Sequence, residues 1–288
     1  MASKPNLTPR QVFRFRVVRW FLAAYALDVT ADALWLVQLG WVAARASSPL
    51  WAGLILSVGA VPAALFTLLG GKVTDDHGSR RVATLTMAAR VGVFLVWAGF
   101  AATSTAGIVF VVFVAALIGA IGGFHDSSLG VVQTELIPRS GRAAAVAIER
   151  VVGRFAQAVG AGGSGWLIGA FGLRVTALIG AAGLLLAALI IGYLARLPGV
   201  PDDASEDEED EESGSIRAGL RYVWRHQVLR RTVIAQGVVN LVTAAPITAI
   251  LPMKIHALHW SSTRYGLLFA TYGVAIGVTT GLTLKYAA

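Results

Sequence analysis

Residues 70–81 read GGKVTDDHGSRR. The stretch holds two Asp, one Lys, two Arg, one His and three Gly, and lies between two long apolar runs. A charged turn between apolar segments of about 20 residues marks a chain that crosses a bilayer and turns back. The rest of the chain agrees. It is 56% hydrophobic and only 14% charged, with a mean hydropathy of +0.68. Soluble domains are about a quarter charged, so this composition cannot keep a whole surface in water.

The formal net charge is +8. Nucleic-acid binders gather their bases on one exposed face; here the bases sit in short loops between apolar runs, so no nucleic-acid partner is expected. The chain has no cysteine, which excludes disulfides and thiolate metal sites. The basic N-terminal stretch MASKPNLTPRQVFRFRVVRW lacks a following small-residue cleavage site and reads as a cytoplasmic tail.

Eight membrane helices are expected, at roughly 17–43, 49–71, 82–103, 106–131, 142–170, 174–195, 232–253 and from 265 onward. With the N-terminus inside, sixteen bases fall in cytoplasmic segments and only Arg45, Arg174, Lys254 and Arg264 in outer loops. The positive-inside rule therefore places the N-terminus in the cytoplasm. The segment PGVPDDASEDEEDEESGS, 198–215, carries nine of the sixteen acids and reads as a solvated linker. The sequence SIRAGLRYVWRHQVLRR after it suits a helix lying on the inner leaflet. The expected fold is all-α: a six-helix bundle over 1–197, an acidic linker over 198–215, and over 216–288 a surface helix with two more membrane helices.

Ionisable side chains inside a membrane are costly, so each is a functional candidate. Asp28 and Asp32 are one helical turn apart on helix 1, at about 16–22 Å from its inner end. Two carboxylates so close cannot both ionise cheaply, and one is a candidate to take up and release a proton. The alternative is that they pair with a buried Arg or cap a helix break. Arg154 on helix 5 falls at similar depth and is expected either to neutralise that pair or to hold an anionic group of a substrate. Arg150 lies one turn below it, and Glu149 is its neighbour in sequence. Arg90 reads as shallower and able to reach back to the cytoplasm. On helix 7, Asn240, Thr243 and Pro246 offer a polar face and a kink. Gly119 and Gly123, Gly165 and Gly169, and Gly273 and Gly277 are spaced for close helix packing. No phosphate-binding loop, nucleophile elbow or metal-ligand spacing of His is present, so neither catalysis, a cofactor nor a metal is expected.

The opening stretch resembles the signature between helices 2 and 3 of the major facilitator superfamily. Gly71, Asp75, Gly78 and Arg80 match its anchor positions, while Asp76 and Ser79 stand where bases are usual. Phe124-His-Asp126, Glu135-Leu-Ile-Pro138 and the entry into helix 7 resemble the multidrug and macrolide efflux branch. A glycine-rich segment, 160–165, takes the place of that branch's antiporter signature, with Ala161 where a Pro is usual.

The resemblance implies that Gly71 lets helix 2 pack tightly, that Asp75 faces a helix of a second bundle, and that Arg80, with Arg81, pairs with Asp126. It also implies a twelve-helix protein, of which this sequence reads as a fragment or truncated product. The missing bundle would come from the rest of the protein or from another chain. The expected function is proton-coupled efflux of an amphipathic small molecule across the plasma membrane, with Asp32 carrying the proton. A proton-coupled importer of the same fold and a truncated, non-transporting membrane subunit are the rival readings. The expected partners are the lipid bilayer, protons and a small-molecule substrate.

Overall fold

The computed structural model describes residues 9–46, 48–101, 107–197, 216–245 and 250–286. Every regular element among them is helical. The acidic linker, Pro246 and the side chains of Asn240 and Thr243 lie outside the described residues.

Helix α1 spans Arg16–Ala43 and is not broken by its two acids. A short helix, Pro49–Ser57, begins with Pro just inside and the Ser48 hydroxyl accepting from the Trp51 N–H. It leads into α2, Ala60–His77. Helix α3 spans Ser79–Phe100 and α4 spans Ile108–Leu136. Arg142–Leu194 runs as one helical element of 53 residues, about 80 Å of helix. Gly172 interrupts it at φ 80°, ψ 176°. That conformation is open to glycine and not to an ordinary side chain. The two limbs, 142–171 and 173–194, are α5 and α6, so the one element has length for two crossings.

After the linker, Ile216–Arg225 forms a separate helix and α7 spans Gln227–Ala245. The expected helix over 232–253 is thus displaced: α7 starts earlier, and Leu251–Ala257 is its own short helix. Helix α8 spans Ser262–Tyr286.

Among the described residues, five helical stretches are long and apolar enough to cross a membrane: Arg16–Ala43, Leu50–His77, Ser79–Phe100, Ile108–Leu136 and Arg142–Leu194. Their outward faces carry large apolar residues such as Leu65, Leu68, Phe113, Phe155 and Leu189, all more than half exposed. A water-facing surface would not hold that many; a lipid-facing one does.

Inside the bundle the apolar core is split. Phe21, Leu22, Met87, Leu136 and Ile191 form one buried cluster toward the end of the bundle where α1 begins. Trp35, Phe94, Trp97, Val114 and Leu184 form another toward the other end. Small residues set the spacing between helices. A Cβ placed on Gly123 of α4 would meet the α2 backbone at Thr67 N, 2.7 Å away, and one on Gly160 of α5 would meet Thr30 O of α1 at 2.6 Å. Helix α8 lies against α5 in the same way: a Cβ on Gly266 would meet Ala161 O at 2.6 Å, and one on Gly273 would meet the Ala158 Cβ at 3.2 Å. In lipid, where apolar burial does not drive helices together, such backbone-to-backbone approach supplies the dispersion contact that does.

Candidate functional site

Between the two apolar clusters lies a layer of buried polar side chains. Asp28 on α1, Arg90 on α3 and His125 on α4 are all 3% exposed or less. Their meeting follows from helix arithmetic. Asp28 stands 12 residues past Arg16, Arg90 stands 11 past Ser79, and His125 stands 11 before Leu136. At a 1.5 Å rise, all three sit about 17–18 Å from the same end of the bundle.

Arg90 uses its fork across both acids. One terminal nitrogen donates to Asp28 Oδ1 at 2.6 Å, and the other contacts Asp32 Oδ1. His125 Nε2 lies 2.9 Å from the second Asp28 oxygen, and its Nδ1 lies 3.2 Å from Thr86 Oγ1. The Thr86 hydroxyl also sits 2.9 Å from Val82 O. Asp28 is thus held on both oxygens, while Asp32 keeps half of its side chain exposed. Among the described residues Arg90 Nε is left without a partner, so this buried cluster is not fully satisfied.

This corrects two expectations. Arg90 does not reach back to the cytoplasm; it is buried and is the counter-ion of the acidic pair. Its depth reads too shallow if α3 starts at 82, because the helix begins at Ser79. Arg154 does not neutralise Asp28 or Asp32. Its Nη1 donates to Gln157 Oε1 at 3.0 Å, and it lines a cleft of about 360 Å³ between α1 and α5. Tyr25, Asp32, Arg150 and Gln157 line the same cleft. Glu149 is not part of that lining; it is half-buried and accepts from Gln133 of α4. His125 and Thr86 are network members that the sequence reading did not select.

The opening stretch is not a loop. Helix α2 runs to His77 and α3 starts at Ser79, so Gly78 alone makes the reversal, at φ 85°, ψ 128°. Its N–H closes α2 on Thr74 O at 2.9 Å, and its carbonyl accepts from Val82 N at 3.1 Å. Arg80 does not pair with Asp126. Its Nε donates to Glu135 Oε2 at 2.9 Å and its Nη1 to Leu197 O at 2.7 Å. Ser79 Oγ donates to the other Glu135 oxygen. Glu135 lies nine residues beyond Asp126, about 14 Å further along α4. The serine that departs from the family pattern therefore joins the lock, which ties α3, α4 and the end of α6. Asp126 is exposed, as are Asp75 and Arg81, and Asp75 makes no ion pair among the described residues. Gly71 does not pack tightly either: nothing stands within 4 Å of a Cβ there. The close approach belongs to Gly70, where a Cβ would come within 2.8 Å of Ser127 Oγ and 3.1 Å of Gly123 O.

The model of the Major Facilitator Superfamily matches residues 21–287, nearly the whole described chain. Comparison with curated proteins finds no match. The match takes in the split apolar core, the buried charge layer and the reversal at Gly78 alike, and the chain belongs to the major facilitator superfamily.

Proposed function

We propose that this multi-pass membrane protein, a transporter of the major facilitator type, couples movement of an amphipathic small molecule to protons through the Asp28–Arg90–Asp32–His125 network. The observation that carries this is a charge count in the network. Two carboxylates share one guanidinium, so Arg90 leaves one of their two negative charges unmatched within it. Such a charge is costly, and a single added proton cancels it. Asp32 is the member able to receive that proton, because half of its side chain opens toward the cleft while Asp28 is enclosed. Protonating Asp32 weakens its hold on Arg90 and leaves α1 tied to α3 through Asp28 alone, which lowers the cost of a shift between them. Proton binding is thereby linked to helix position, which alternating access requires.

In this reading the N-terminus is cytoplasmic, α1 to α6 form the first of two bundles, and 198–215 is a solvated tether to the second. Arg80, Glu135 and Ser79 brace the inner ends, and Asp75 stands ready for a partner on the second bundle. Transport is outward across the plasma membrane. The two arginines of the cleft also suit uptake of an anion, so an inward proton-coupled permease is the second reading.

The test is accumulation of a panel of amphipathic compounds in efflux-deficient cells expressing the full-length protein. Outward transport predicts lower accumulation of at least one compound, restored by an uncoupler and by Asp32→Asn. Accumulation driven up by an inward proton gradient would select the importer. Movement unaffected by both the uncoupler and Asp32→Asn would remove the proton from the account.

A further inference from the structure

The cleft between α1 and α5 carries more positive charge than the protein itself neutralises. Arg150 and Arg154 both line it, one turn apart on the same face of α5. Among the described residues neither is in an ion pair. The one carboxylate lining the cleft, Asp32, is already engaged by Arg90. Glu149, next to Arg150 in sequence, is turned to Gln133 on α4. Two guanidiniums one turn apart on a helix face repel each other, and neither is held in an ion pair among the described residues.

The cleft is also graded. A Cβ on Gly153 would touch the Tyr25 ring at 3.1 Å, and one on Gly160 would touch Ala33 Cβ at 2.8 Å. Helices α1 and α5 therefore run parallel here, with Arg150 and Arg154 toward the Tyr25 level and Leu36 beyond Ala33. The wall from Val29 through Ala33 to Leu36 is apolar. A volume of about 360 Å³ lies at the small end of ligand pockets, which run roughly 300–1,000 Å³. Gln157 holds Arg154 from one side through a single nitrogen, which leaves the rest of the guanidinium fork for a bidentate acceptor.

We propose that this cleft is a binding site for an amphipathic organic anion, its carboxylate or phosphate held by Arg154 and Arg150 and its apolar body lying along Val29, Ala33 and Leu36. The inference rests on the transport reading and narrows its substrate class. A free organic anion and an anionic lipid headgroup share this chemistry.

The experiment uses the full chain in phosphatidylcholine nanodiscs, titrated with two probes that share one fluorophore: dansylglycine, a carboxylate, and dansylcadaverine, a cation. Dansylglycine is expected to bind about tenfold or more tightly than the cation, as a charge-assisted contact provides. Arg154→Gln and Arg150→Gln should each weaken it by about tenfold. Arg154→Lys should fall between, since it keeps the charge and loses the fork; it also serves if the glutamine variant does not fold. Adding phosphatidylglycerol to the nanodisc separates the sources. Arg154-dependent displacement of dansylglycine identifies a lipid headgroup as occupant, and retained binding identifies a free solute. Tighter binding of dansylcadaverine, equal dansylglycine affinity in both glutamine variants, or no dansylglycine binding would each overturn the inference. None of these would touch the proton-coupled transport reading, which is read from Asp32→Asn in the accumulation assay.

Discussion

Arg90 is the residue on which the interior depends most. It is 2% exposed and holds two carboxylates. Removing it strands Asp28, which is enclosed between α1, α3 and α4. Breaking a buried pair from one side typically costs about 3–5 kcal/mol. Arg90→Gln should therefore lower the thermal unfolding midpoint in detergent sharply, whereas the double variant Arg90→Gln with Asp28→Asn should recover much of the loss. An unchanged midpoint in the single variant would contradict the ion-pair assignment. Glu135→Gln tests the second lock. Its pair with Arg80 is partly exposed, so stability should drop by less than about 1 kcal/mol, and the measurable effect should be faster proteolysis near the end of α6. At Gly78, φ 85° is closed to an ordinary side chain; Gly78→Ala should cost about 1–3 kcal/mol by the same unfolding measurement.

At the scale of elements, the helices themselves were plain from composition. Runs of about 20 apolar residues between charged turns place five of the six first helices to within a few residues, because the bilayer's thickness fixes their length. The break between α5 and α6 was legible as well, near the Gly172 that makes it. What the linear pattern could not supply was facing. Gly70 and Gly71 differ by about 100° around α2, and the one that touches α4 is not the one at the motif position. Likewise Glu135 and Asp126 both lie on α4, and which one meets Arg80 depends on where α3 starts. Arg90 was visible as a charge, but three residues of error in the start of α3 moved it out of register with Asp28. The small-residue faces lead to a prediction of their own. Gly266→Leu should detach α8 from α5, seen as loss of a cross-link between cysteines introduced at Ala158 and Gly273, while Gly71→Leu should leave the α2–α4 packing as it is. An intact cross-link in Gly266→Leu would contradict the α5–α8 contact.

At the scale of the whole molecule, the pieces form one device. Among the described residues, two of the apolar clusters lie on either side of the buried charge layer. Asp32 connects that layer to a cleft lined by Arg150 and Arg154, so in the proposed mechanism proton and cargo would meet across a single side chain. The most direct test of this account is proton exchange on cargo binding. The full-length protein, in weakly buffered detergent solution, is mixed with a compound identified by the accumulation assay, and the pH change is recorded. The account predicts that the unaltered protein exchanges a proton with the solvent and that Asp32→Asn does not. An equal pH change from both would contradict it.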